Sequence, residues 1–202
     1  MLRGVSYTTL SFVAVWLLGS SAQASPQTKA TALVKKNYDA IKKMVASAKD
    51  RDELAEQITE SLDSLINWPS FSTKTLSKKT WEELSPGQQD TFIGAYRKLI
   101  VRRYAKRFKP GSDFRVEIRA TEEPDETETW VKTTVHSLDG KKKLGVDVDY
   151  EFWPGPKGYR VADIVTDGVS RARSYRPKFK RILKKRGFDA LIKAIERNAK
   201  KR

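Results

Sequence analysis

Asp147, Asp149 and Glu151 recur at every second position, and on a β-strand that spacing projects three carboxylates from one face. Carboxylates in such a row could bind calcium or act as the acid and nucleophile of a glycosidase. The favoured reading is a solvated polar face, balanced by Lys and Arg on neighbouring strands. His136 is the single histidine and there is no cysteine, so a histidine- or thiolate-rich zinc site cannot be assembled. Alone on a strand, His136 reads as structural. Ser170 has no adjacent base and no nucleophile-elbow pattern, and reads as a helix cap. No G-x-G-x-x-G or Walker motif offers a phosphate cradle. The residues therefore point to no catalytic group, no metal and no cofactor.

The chemistry that is concentrated is cationic. Between Arg171 and Arg186 there are nine basic residues and no acidic one, while Ala172, Tyr175, Phe179 and Ile182 or Leu183 keep an apolar stripe. That pattern is a basic amphipathic helix, which rests on a membrane, binds an acidic partner, or packs on its own sheet with a solvated back. It belongs to a wider surplus of 40 Lys and Arg over 25 Asp and Glu, a formal charge of +15. Such a surplus implies anionic partners and says nothing of the fold.

The N-terminus narrows the choice of partner. After Arg3 the chain runs apolar as VSYTTLSFVAVWLLG and then reads SSAQAS, with Ala22 and Ala24 forming an A-x-A pattern. Residues 1–24 read as a signal peptide cut between Ala24 and Ser25, because the apolar run is shorter than the ~20 residues of a spanning helix. Export weighs against nucleic acid and favours phospholipid, another envelope component or an acidic protein. Without cysteine no lipid can be attached to an N-terminal thiol, so the expected product diffuses freely outside the cytoplasmic membrane.

What must position these residues is one domain over residues 25–202, with a helical N-terminal part and basic C-terminal helices. Leu33, Tyr38, Ile41, Met44 and Val45 make a helical stripe between Ala30 and Ala48. Asp50 or Asp52 caps a second helix carrying Leu54, Ile58, Leu62 and Leu65, which Trp68–Pro69 is expected to stop. Leu76, Trp81 and Leu84 lie on a short helix or turn. Ser85, Pro86 and Gln88 then open a long helix through a capping box, and Lys109–Pro110–Gly111 ends it. From Phe114 the period becomes two. Four antiparallel strands are expected, with a hairpin at Asp139–Gly140, a turn at Pro154 to Gly158 and the last strand over Tyr159 to Val165. Asp167–Gly168 takes that strand off the sheet, and Ser170 caps the basic helix. Pro177 starts a new helix or kinks the old one, Gly187 reads as a C′ glycine, and Phe188 to Ile195 form a final short helix. The class is α+β: a four-stranded or slightly larger antiparallel sheet covered by helices. Periodicity alone cannot decide whether the apolar sheet face closes a filled core or lines a ligand pocket.

Two stretches resemble the MlaC, or toluene-tolerance, family of periplasmic phospholipid-binding proteins. In residues 65–105 the order is Trp81, Ser85-x-x-Gln88-Gln89, Phe92, Tyr96 and Tyr104. In residues 160–195 it is Asp163-Ile164, Gly168-Val169-Ser170, Tyr175-Arg176, Phe179, Gly187 and Leu191-Ile192. No one motif is specific, but the ordered set spans nearly all of the chain after residue 24. The resemblance implies a curved sheet and helices enclosing an apolar cavity, with no catalytic residues. It implies a shuttle that carries phospholipid between an outer-membrane lipoprotein–porin complex and an inner-membrane ABC-transporter complex, maintaining outer-membrane lipid asymmetry.

On that basis Phe92, Tyr96 and Leu99 of the long helix are expected to line the cavity opposite the sheet. From the sheet come Val116, Ile118, Val135, Val146, Val148, Tyr150 and Phe152, joined by Ile164 and Val169. Arg171, Arg173 and Arg176 are expected to meet the headgroup or a partner. Pro177 and the heavy basicity depart from the family's pattern. The alternatives are a basic envelope interaction module with a filled core, binding an acidic partner or polymer, and an enzyme on the same kind of fold.

Overall fold

A computed structural model describes residues 25–138, 145–155 and 158–200. The expected signal segment and the Asp139–Gly140 hairpin lie outside the described residues, as does part of the Pro154 to Gly158 turn. The helical part opens with α1 (Pro26–Ser47), whose first turn is capped by the Ser25 side chain accepting from the Thr28 N–H at 3.2 Å. Next, α2 (Arg51–Leu65) is capped by Asp50, whose Oδ1 accepts from the N–H groups of Asp52 and Glu53, each at 2.9 Å. Trp68–Pro69 does not merely stop this helix. With Asn67 as its cap, the pair opens α3 (Trp68–Leu76), because proline's missing N–H costs nothing in a first turn. A short α4 (Lys78–Glu82) follows.

The capping box of α5 (Pro86–Ala105) forms in both directions, Ser85 Oγ accepting from Gln88 N–H at 3.3 Å and Gln88 Oε1 from Ser85 N–H at 3.0 Å. The helix ends at Ala105, before the Lys109–Pro110–Gly111 stop. Its buried set is broad, running from Phe92 to Ala105, because neighbours cover it on several sides.

The sheet order is β1 (Phe114–Asp125), β2 (Glu128–Ser137), β3 (Gly145–Trp153), β4 (Arg160–Thr166) and β5 (Val169–Ser170), antiparallel throughout. The fifth strand arises because Asp167 and Gly168 both take positive φ, 48° and 75°, and fold the chain back onto β4. Register shifts at Ile118/Ala120 and Glu151/Phe152 mark bulges that bend β1 and β3. On the outer face Arg119 pairs with Asp149 at 2.8 Å and Asp147 at 3.4 Å, and Lys132 with Glu122 at 2.7 Å. Two members of the carboxylate row thus form the solvated face expected of them. Glu151 does not, being 1% exposed.

The basic segment forms α6 (Arg171–Lys200), helical through Pro177 and broken instead at Gly187, where φ is 77° and ψ 180°. Pro177 is exposed, so water can reach the carbonyl it leaves without a donor. The final helical piece runs on to Lys200 rather than ending near Ile195. Among the described residues no helix is long and apolar enough to cross a membrane.

A buried charge cluster joins α3, the sheet and α6. Lys74, 7% exposed at its side chain, donates to Glu151 Oε2 and lies 4.0 Å from Asp163 Oδ2. Trp153 Nε1 donates to the other Glu151 oxygen at 2.7 Å. Asp163 Oδ1 accepts from the Ile164 N–H at 2.8 Å and the Ala172 N–H at 3.0 Å, while Ser170 Oγ donates to its other oxygen. Ser170 Oγ in turn accepts from the Arg173 N–H at 2.9 Å and so caps α6. Arg176 donates to the carbonyls of Lys74 and Thr75 in the last turn of α3. Burial pushes the Glu151 carboxyl above its usual range, and Lys74 opposes that shift.

The cluster holds two carboxylates and one ammonium, so its members are not equivalent. Lys74→Met strands both acids in the interior and should cost roughly 3–5 kcal/mol. Glu151→Gln leaves Lys74 with Asp163 and should cost clearly less. Urea denaturation of both variants at neutral pH checks the order, and equal losses would contradict this account of the cluster.

Candidate functional site

Three tyrosines from three elements meet over the middle of the sheet. Tyr150 of β3 donates to Tyr38 Oη of α1 at 2.7 Å, and Tyr104 of α5 lies 3.3 Å from Tyr150, hydroxyl to hydroxyl. The Tyr38 and Tyr150 rings meet edge to face, with centroids 6.1 Å apart. Each side chain occupies an inward position of its element, which the helical and two-residue periods dictate separately. Each hydroxyl is buried, and they satisfy one another where no water is needed. Burial raises all three phenols above the ordinary tyrosine value of 10.0.

Two cavities flank this triad. One, of about 280 Å³, lies among Tyr38, Phe108, Phe114, Val135 and Val146, with Ser112, Asp113 and Ser137 at its edge. The other, of about 270 Å³, lies among Ile100, Ile164, Thr166 and Tyr175. Tyr104, Val148 and Arg107 line both. Each alone falls just short of the ~300–1,000 Å³ of ordinary ligand pockets, and the pair together falls within it.

Cations edge the second cavity: Arg103, Lys106, Arg107 and Arg171. The ion pairs among the described residues engage the arginines at 97, 102 and 119, but not Arg103, Arg107 or Arg171. Arg171 Nε donates to Thr166 Oγ1 at 3.3 Å. Burial, and then the like charge of Arg107, push the Arg171 guanidinium below its ordinary value. Such a site favours an anion that can enter between them.

The expected lining residues divide into five groups. Val135, Val146, Val148 and Ile164 reach the two cavities. Val116 and Ile118 line a separate groove of about 450 Å³ against α1. Phe92, Tyr96, Leu99 and Phe152 sit fully buried, the first two in an aromatic layer. In that layer Phe92 is 5.3 Å from Tyr96 and 6.1 Å from Phe179, and Tyr96 is 5.7 Å from Phe71, between ring centroids. Tyr150 forms the centre of the triad, and Val169 is half exposed at 50%. Of the three expected arginines, Arg171 reaches a cavity, Arg173 is exposed and Arg176 is held by α3.

Sequence reasoning passed over Arg103, Lys106 and Arg107 as site residues. They look like ordinary helix-end cations, and only the docking of α5 beside β4 and α6 brings them to a cavity edge. A larger groove of about 690 Å³ lies between α2, α5 and the end of α6, but its walls carry Asp52, Glu56, Arg97, Arg102 and Glu196. Mixed charge makes it unsuited to an apolar ligand.

A family model described as MlaC protein matches residues 31–197. No curated protein matches the sequence significantly. Among solved structures, the fold is similar to that of the phospholipid-binding protein from Ralstonia solanacearum in complex with a phospholipid. The TM-score is 0.73 at 19% identity, over 84% of this chain and 96% of the other.

The raised phenols have a signed consequence. A native state that holds its tyrosine protons more tightly than the unfolded chain is stabilised below pH ~10 and loses that stability as pH rises beyond it. Tyrosinate absorbance followed in an alkaline titration should therefore show a delayed fraction that ionises together with loss of the helical circular dichroism signal. Smooth titration of every tyrosine near pH 10 would contradict a closed triad.

Proposed function

The chain belongs to the MlaC family, and on that premise we propose that it is a phospholipid carrier of the periplasm and not an enzyme. In this reading it takes one phospholipid at a time across the aqueous space between two membranes. Its docking partners are the family's inner-membrane ABC-transporter complex and outer-membrane lipoprotein–porin complex, and the process serves outer-membrane lipid asymmetry. Residues 1–24 direct export and are removed at Ala24.

The observation that carries this reading is the pairing of the two cavities. They share the wall of Tyr104 and Val148 and the Arg107 cation. A phospholipid joins apolar tails to one anionic phosphate, and that division matches a mainly apolar cavity adjoining a second one whose lining mixes Ile100, Val148 and Ile164 with four cations. Exposing a tail to water costs about 0.8 kcal/mol per CH₂, so unassisted crossing is negligible and a carrier must hide both tails. The similar fold of the Ralstonia protein, described in complex with a phospholipid, supports the same ligand class. Tail contact is assigned to Val135, Val146, Val148 and Ile164, and headgroup contact to Arg103, Arg107 and Arg171. Loading then requires the two lobes to widen, with Tyr104 as the movable partition, since the described cavities are small for two full tails. The packed aromatic layer around Phe92 and Tyr96 forms the closed end of the space.

Native mass spectrometry of the protein isolated from a periplasm, followed by lipid extraction, tests this. About one phospholipid per chain is expected. Val148→Phe, which fills the shared wall, should abolish loading while keeping the circular dichroism of the parent. Arg107→Glu combined with Arg171→Glu should reduce it about tenfold or more through the lost charge-assisted contacts. A lipid-free parent chain would remove the carrier reading in favour of the filled-core interaction module.

A further inference from the structure

Exposed apolar side chains acquire meaning where they stand among cations at the mouth of a cavity, and the described residues include two large ones. Leu138 is 45% exposed and Val169 is 50% exposed. Neither lies on a loose end. The Leu138 N–H donates to the Asp113 carbonyl at 2.9 Å, and Val169 is paired with Thr166 through β5. The strand register places both at one end of the sheet. Phe114 begins β1 opposite Ser137, Val148 faces Thr166, and the Asp167 N–H donates to the Asp147 carbonyl at 2.9 Å.

This is also the end at which Arg107 and Val148 line both cavities. Exposed cations gather there as well: Arg103, Lys106, Arg107 and Lys109 from the end of α5 and the turn after it, and Arg173 from the first turn of α6. The acids nearby are already engaged. Asp113 pairs with Lys42 at 3.1 Å, and Asp167 Oδ1 accepts from the Asp147 N–H at 3.1 Å.

We propose that this end of the molecule docks directly on an anionic phospholipid bilayer, with Leu138 and Val169 entering the interface and the surrounding cations meeting the headgroups. Cations interleaved with protruding apolar side chains are the pattern of interfacial membrane contact. An acidic protein partner would bury a wider apolar patch than two separate side chains supply. The distal part of α6 supplies the contrast. Lys180, Lys184 and Lys185 are exposed there, yet that stretch carries no exposed large hydrophobic among the described residues. Charge alone therefore does not single out the docking face, whereas charge with apolar contact does. Docking by this end turns the cavity edge to the membrane, so a lipid can pass without crossing open water. This goes beyond the carrier reading, because it names the bilayer itself as a surface of contact.

The absence of cysteine makes the test direct. In the chain beginning at Ser25, Val169→Cys, Leu138→Cys and, separately, Lys184→Cys each give one site for a polarity-sensitive fluorophore. Vesicles of equal phosphatidylethanolamine and phosphatidylglycerol should blue-shift the probes at 169 and 138, and leave the probe at 184 unchanged. Pure phosphatidylcholine vesicles should leave all three unchanged, and salt raised to about 1 M should reverse the shifts by screening. Lys106→Ser with Lys109→Ser should weaken vesicle association by roughly fivefold for each cation lost. Silent probes at 169 and 138 overturn the proposal. So does a shift confined to 184, or retention on polyglutamate resin with no association with vesicles, which would assign the face to an acidic protein. Vesicle contact is read without reference to cavity loading. A chain that docks but carries no phospholipid would refute the carrier reading alone, and a loaded chain that ignores vesicles would refute docking alone.

Discussion

The fold turns on a buried carboxylate, Asp163, and the lysine it shares with Glu151. Asp163 is 1% exposed and receives hydrogen bonds from its own strand, from Ser170 and from the first turn of α6. Lys74 brings α3 to the same point. Desolvating three charges costs several kcal/mol per ion, and the interior tolerates them only because nearly every lone pair and proton finds a partner. The cluster is therefore a poor source of net stability and a strict source of geometry. It sets where α6 starts, and through that it sets where Arg171 points.

From this anchor the interior divides in two. On one side, rings from α3, α4, α5 and α6 pack in edge-to-face, tilted and stacked pairs, with centroids 5.2–6.2 Å apart, and leave a solid aromatic layer. On the other side, the tyrosine triad bridges α1, α5 and β3, and the space around it is not filled. Three phenols bonded to each other make a partition that is apolar at its flanks and satisfied at its centre.

The electrostatics follow the same division. The outer sheet face is neutralised strand by strand, as Arg119 with Asp147 and Asp149 shows. At the cavity edge the like charges of Arg107 and Arg171 are close enough to disfavour each other, and the fields of Asp163 and Asp167 offset this only in part. Two like-charged guanidinium groups beside a partly apolar space are costly in isolation, and an anionic group between them would offset that cost.

The sequence by itself determined most elements and the class: the capping box at Ser85, the two-residue alternation from Phe114, a turn at Asp167–Gly168 and the α+β order of helices before strands. These features are local, so neighbouring residues suffice to specify them. The ordered motifs also sufficed to suggest the MlaC family. The sequence misjudged Trp68–Pro69, because a proline that ends one helix can equally begin the next, and only the Asn67 cap decides between them. It missed β5, since two residues carry no period. The division of the apolar sheet face into a packed part and a hollow part was invisible, as Phe152 and Val148 obey the same alternation yet face different surroundings. The choice among cations was invisible for the same reason: Arg107, Arg171 and Arg176 are alike in sequence, and one is spent on the end of α3. Tertiary structure alone decided these points, because cavities and unpaired charges depend on which distant elements are, or are not, in contact.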